Sequence, residues 1–281
     1  MSAYTEFCCE GAKHDDKLQL RELFDLCFPG ESGFSRWYFD NVWQNSNTLL
    51  IRRLGRIISA LQMLPMSLEY RGETMRGCYI FAVGTHPDWE GKGCAGALLN
   101  ASFDEARAQG LDFSALIVQK SSLTDFYSRF GYLPVFKVAR QEVTPAACRG
   151  ELTPLDISHI PELDRVYRQS VDGMMFDLRD TDRWRAQMDA YKAVGRFRDG
   201  RLTSYCFYDT RGGTVFAAEA CGEDSDKLVA DIACMEGKQR AQMITVTREG
   251  GEAIGCLKPL SARAQEFTDA ADGFYLNLYY N

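Results

Sequence analysis

Residues 85–99 read "THPDWEGKGCAGALL". Gly91, Gly93 and Gly96 crowd together around Lys92, just ahead of the apolar pair Leu98 and Leu99. Glycine is poor in helix interiors, so its use before a helical run implies a backbone that comes very close to a ligand. The free N–H groups of a helix N-terminus favour anions, and the stretch therefore predicts an anion site. The residues before it, "GCYIFAVGT" (77–85), form the continuous apolar run of a buried central strand. After it, Ala95, Leu98, Leu99, Ser102 and Ala106 share one helical face that ends near Gly110.

Three anions compete for the loop. Gly91 to Gly96 satisfies G-x-G-x-x-G, but that dinucleotide pattern follows its strand directly and has an acidic residue about 20 residues on. Here His86 to Glu90 intervene, and the next strand, "FSALIV" (113–118), leads into Gln119. A nucleotide P-loop is excluded because Lys92 is followed by Gly93 instead of Ser or Thr. The third reading needs a second motif. Val83 through Pro87 gives a hydrophobic-x-hydrophobic-x-Pro strand end, followed by the loop Glu90-Gly91-Lys92-Gly93-Cys94-Ala95. Some thirty residues later comes Phe126-Tyr127-Ser128-Arg129-Phe130-Gly131-Tyr132.

Together these motifs resemble the GNAT (GCN5-related N-acetyltransferase) superfamily over roughly residues 5–143. The resemblance implies an α/β (α+β) fold with a mixed central sheet flanked by helices. It also implies acetyl-CoA as co-substrate, with its pyrophosphate on the backbone of Gly91, Lys92, Gly93, Cys94, Ala95 and Gly96. Main-chain groups of Val83, Gly84 and Thr85 would hold the pantetheine and acetyl oxygen, and Ser121 and Ser122 complete the expected cofactor set. Tyr127 is the candidate acid for the leaving thiolate, since a phenol near pKa 10 stays protonated at neutral pH; its alternative is a packed aromatic. Trp37 and Tyr38, in "FSRWYFDNVW" (34–43), are candidate acceptor-pocket residues or core. One departure is visible: Glu90 stands where the family places Arg or Gln.

The general base stays open between His86, bound water and the C-terminal carboxylate of Asn281, which closes the strand-like "GFYLNLYYN". The spacing there predicts a terminal strand over 274–281, with Phe274, Leu276, Leu278 and Tyr280 on one face.

Further along, "TPAACRGELTP" (144–154) pauses the pattern and divides the chain into 1–145 and 146–281. Helices are predicted at 15–28, 157–170, 180–191 and 223–236. Strands are predicted at 48–54, 57–64, 66–70, 133–143, 193–198, 202–209, 214–221 and 241–247. The second half thus echoes the first, but at the matching loop it carries the acidic "CGEDSDKLVAD". It reads as a degenerate GNAT-like copy with no cofactor site. The arrangement resembles the enhanced-intracellular-survival acetyltransferases, which acetylate amines including some aminoglycosides, without their sterol-carrier-like domain.

Bulk composition agrees. The 281 residues are 46% hydrophobic and 25% charged, with a net charge of −7. An acidic chain suits a cationic amine better than nucleic acid. The ten cysteines and three histidines show no zinc-like spacing, so no metal is expected. No secretory or membrane-spanning stretch is visible, which points to a reduced, cytoplasmic setting without membrane contact. The expected activity is transfer of acetyl to an amine of a small molecule or peptide. The alternative is a non-catalytic acyl-CoA-binding sensor, and a homo-oligomer is left open.

Overall fold

A computed structural model describes residues 7–145 and 151–278. The first half runs β1 (Cys9–Gly11), α1 (Lys17–Cys27), α2 (Ser32–Asn41), β2 (Thr48–Arg53), β3 (Arg56–Tyr70), β4 (Glu73–Thr85), α3 (Cys94–Ala108), β5 (Phe113–Ile117), α4 (Thr124–Ser128) and β6 (Leu133–Val143). The second continues with β7 (Thr153–Pro154), α5 (Ile160–Ser170), β8 (Met175–Asp177), α6 (Thr181–Ala190), β9 (Lys192–Arg198), β10 (Arg201–Arg211) and β11 (Thr214–Gly222). It ends with α7 (Ser225–Met235), β12 (Arg240–Val246), β13 (Glu252–Pro259), α8 (Ala262–Ala270) and β14 (Phe274–Tyr275). No helix among the described residues is long and apolar enough to cross a membrane.

The two predicted strands at 57–64 and 66–70 are one, β3, which continues through Pro65 in unbroken register with β4. Leu54–Gly55, Arg71–Gly72 and Asp199–Gly200 have positive φ at both positions. They make the two-residue turns whose twist matches antiparallel strands.

One mixed sheet runs through the molecule in the order β1-β2-β3-β4-β5-β13-β6-β12-β11-β10-β9-β7. β4 pairs in parallel with β5 only from Gly77↔Phe113 to Tyr79↔Ala115, after which the strands part. The β3–β4 register slips between Ala60↔Gly84 and Gln62↔Phe81, which places one extra residue in β4. Ala82 takes up this bulge with a φ of 51°. The second half repeats both devices. β11 and β12 pair in parallel only from Thr214 to Ala217, and β11 bulges between Phe207↔Glu219 and Tyr208↔Ala217.

The halves exchange their last strands. β13 lies between β5 and β6, and β6 in turn pairs with β12. β13 and α8 are absent from the sequence reading. Their residues, "EAIGCLKP" above all, are short and apolar without a clear period.

The terminal segment also departs from expectation. Only Phe274–Tyr275 is strand among the described residues, parallel to β8. Tyr275, Leu276, Asn277 and Leu278 are all buried, so no alternation of faces exists. Packing between the halves covers both sides of the tail, and a period of two has nothing to report.

Candidate active site

The parting of β4 and β5 opens a cavity of about 790 Å³, within the roughly 300–1,000 Å³ of small-molecule sites. One wall is β4 from Tyr79 to Val83, with Ile117, Val118, Gln119, Ser121 and Tyr127 opposite. Phe28, Phe34 and Trp37 close it from α1 and α2, while Arg183, Gln187, Ile254, Asn277 and Leu278 close it from the second half. A β-strand normally spends its N–H and C=O groups on both neighbours; where β4 leaves β5 it can spend them on a ligand.

The glycine loop sits beyond the end of β4. Gly91 and Gly93 have φ of 71° and 91°, and Gly93 is the N-cap of α3. A side chain at either would have open space, so backbone conformation, not crowding, calls for glycine. No side chain caps α3, and the N–H groups of Cys94, Ala95 and Gly96 in its first turn have no intrahelical acceptor. Gly96 serves packing as well: a Cβ there would lie 2.9 Å from Phe130 Cζ. Lys92 is exposed, donates to the Asp88 carbonyl at 2.6 Å and covers the Trp89 ring. Glu90 is exposed too.

Other expected residues divide. Val83 lines the cavity, but Gly84 does not: a Cβ there would lie 3.1 Å from Cys27 Sγ and 3.6 Å from Phe28 Cε2. The smallness of Gly84 therefore leaves room for α1. Thr85 hydrogen-bonds Ser59 through its hydroxyl at 2.8 Å and accepts from Cys27 Sγ at its carbonyl. Ser121 lines the cavity, whereas Ser122 is exposed outside its wall.

Trp37 lines the cavity and is 42% exposed, but Tyr38 is fully buried. Tyr38 packs with Phe34, Phe39 and Phe81 at centroid distances of 6.0, 5.4 and 5.1 Å. Adjacent helix residues point about 100° apart, and the core took the tyrosine. His86 accepts from the Asp88 N–H at 3.2 Å and caps the turn 87–89, away from the cavity wall. Asn281 lies outside the described residues.

Tyr127 sits on the short α4 with its ring against Phe126 (5.1 Å) and Tyr132 (5.8 Å). Burial pushes its phenol up to about 12. Tyr127 is packed among aromatics and also lines the cavity. Tyr79, buried on the facing strand, is likewise pushed up by burial.

In the second half, the position that matches the β4 bulge is filled by the chain itself. Asn277 Nδ2 donates to the carbonyl of Ala218, the extra residue of β11, at 2.9 Å. The N-cap of α7 is Asp224, with Glu223 and Asp226 beside it. That end is negative where an anion site needs N–H groups alone.

Residues 10–135 match the acetyltransferase (GNAT) domain family. Among solved structures, a GCN5-related N-acetyltransferase from Anabaena variabilis superposes with a TM-score of 0.72 at 18% identity, over 92% of this chain and 74% of that one. A probable N-acyltransferase from Enterococcus faecalis gives 0.73 at 13% identity, with the same coverage. Eis1 from Mycobacterium abscessus gives 0.63 at 13%, over 92% of this chain and 75% of that one. No curated protein matches the chain by sequence. Residues 10–135 thus match the acetyltransferase (GNAT) domain family, and the chain as a whole shares the fold of these solved structures.

Proposed function

We propose that this chain transfers acetyl from acetyl-CoA to the amine of a small molecule or peptide, by direct attack within a ternary complex. The observation that carries the reading is one continuous path. It leads along β4, which parts from β5 after Tyr79 and lines a cavity with Tyr127 in its wall, to the loop that ends at the uncapped N-terminus of α3. GNAT domains take acyl-CoA as co-substrate and act on amines. Here the N–H groups of Gly91 to Gly96 would face the pyrophosphate, and the stretch of β4 beyond its pairing with β5 would face the pantetheine amides. Trp37 offers an aromatic face to a cationic acceptor, within a wall that also carries Glu31, Asp189 and Glu252.

In the step itself the neutral amine nitrogen attacks the thioester carbon, an N–C bond forms, and the C–S bond breaks. The sulfur takes a proton and the nitrogen gives one up to solvent. A phenol at about 12 is a weaker acid than a thiol near 8.5. Tyr127 therefore acts as a fixed hydrogen-bond donor to the developing thiolate and stays protonated at every pH where the enzyme works. The proton that the sulfur takes up is balanced by the one that the cationic nitrogen of the tetrahedral adduct gives to solvent.

By chain order we keep 1–145 as the catalytic unit and 146–281 as a degenerate copy without a cofactor site, which Asn277 in the second bulge and Asp224 at α7 support. Acetyl-CoA should raise the melting temperature more than NADH and release free thiol when primary amines are supplied. Tyr127→Phe should lower kcat by about 10- to 10⁴-fold while keeping the acetyl-CoA thermal shift. Undiminished turnover would return Tyr127 to packing alone. Thermal stabilisation without thiol release across the amines would favour the sensor reading, to which Glu90 lends its charge.

A further inference from the structure

The motif that carries Tyr127 is held from the far end of the chain. α4 is barely more than one turn long, too short to hold its own geometry. Its exit is fixed by three contacts. The Phe130 ring lies against Gly96 of α3, the Tyr132 hydroxyl is 2.6 Å from Ser114 Oγ on β5, and Lys258 Nζ donates to the Phe130 carbonyl at 2.7 Å. Ser114 and Lys258 are cross-strand partners on β5 and β13, so their side chains share one face of the sheet. That face carries α3 and the aromatic cluster of Phe103, Tyr127 and Tyr132. Between the two clamped residues lies Gly131, whose φ is 81° and whose missing Cβ would fall 2.7 Å from Lys258 Nζ. The motif glycine therefore both makes the left-handed turn and leaves room for the lysine. Lys258 Nζ also lies over the Phe103 ring, 4.7 Å from its centroid. A cation just past the end of α4 also suits the negative end of its dipole.

We infer that Lys258, on the strand supplied by the second half, is a positioning residue that sets where the Tyr127 hydroxyl stands in the cavity. The inference rests on the proposed role of Tyr127 as donor to the leaving sulfur. It gives the second half a part in the chemistry of the first: the exchanged strand brings the clamp, and the clamp aims the phenol. Losing it should displace the hydroxyl while leaving the glycine loop and the β4 edge as they are.

The test uses the full chain, with acetyl-CoA and a panel of an alkyldiamine, a polyamine, an amino sugar and a peptide with a free N-terminus. Lys258→Met keeps the stem and removes the donor. Its kcat should fall about 10- to 100-fold, the scale of a misplacement of about 1 Å, with an unchanged acetyl-CoA thermal shift. Lys258→Arg, which keeps a donor, should recover most of the loss. In the double variant Lys258→Met with Tyr127→Phe, turnover should equal that of Tyr127→Phe alone, because a clamp has nothing left to aim. A Lys258→Met enzyme within twofold of the parent, or losses that multiply in the double variant, would overturn the inference. The reading of Tyr127 is checked separately by the single Tyr127→Phe variant: if that retains parental turnover, the donor role falls first and the inference falls with it.

Discussion

Gly93 shows how much one residue can be asked to do. Its φ of 91° is a conformation that costs a residue with a side chain about 1–2 kcal/mol, and it stands at the N-terminus where the pyrophosphate would approach. Gly93→Ala adds the strain without a charge, whereas Gly93→Asp adds a carboxylate beside a diphosphate. We expect the alanine variant to retain a reduced acetyl-CoA thermal shift and the aspartate variant to lose it. Equal shifts for Gly93→Asp and the parent, by calorimetry, would move the site elsewhere. Trp37 and Tyr38 make the complementary point: two aromatics adjacent in sequence have opposite fates, and only the packing of α2 against Phe81 separates them.

Between elements, the strongest tie lies in the second half, where Arg179 and Glu219 form a fully buried pair with two contacts of 2.7 Å. Tyr205 and Tyr275 donate to the same carboxylate at 2.8 and 2.7 Å, which joins β10, β11 and the terminal segment. Burial alone would push the Glu219 carboxyl up, but Arg179 and these hydrogen bonds pull it below its ordinary value of 4.5. A carboxylate held down in the folded state contributes stability above its unfolded value, and the contribution is lost as pH falls through the folded one. Asp177 nearby has the opposite sign, since burial raises its carboxyl despite Arg183 and Arg179. Glu219→Gln leaves the buried Arg179 charge with only the more distant carboxylate of Asp177, 3.8 Å from its Nε. It should cost about 3–5 kcal/mol in urea unfolding and remove the Glu219 share of the loss of stability below pH 4.5. A variant as stable as the parent would show that the network does not hold the tail.

At the scale of the whole molecule, the two halves are separate in chain order but not in the sheet. β5 and β6 meet only through β13, so a fragment ending at residue 145 would expose two strand edges and the buried faces of Leu116 and Phe136. Unpaired edges of that kind recruit other chains. Residues 1–145 expressed alone should therefore aggregate or lose cooperative melting, and should show no acetyl-CoA shift. A fragment that melts cooperatively and binds acetyl-CoA like the full chain would make the strand exchange dispensable.

The first half was largely legible because its signals are local. The glycine loop, the apolar run before it and the Phe126–Tyr132 motif each state a backbone need at the place where it arises, and α3, β4, β5 and α4 follow from them. Much of the second half was legible in the order of its elements. What the sequence could not express was which strand fills the gap beside β5. β13 lies more than a hundred residues from β5, is short and buried, and has no period to announce it. The same limit hid Lys258, an ordinary lysine until the sheet sets it under Gly131, and the packing of Gly84 against Cys27 and Phe28. Local sequence determined the loop, the bulged strand's surroundings and the motif helix, since these obey short-range sterics and hydrogen bonding. The tertiary structure alone decided the strand exchange, the walls of the cavity and the clamp on Tyr127, because those come from contacts whose partners the chain brings together only when it folds.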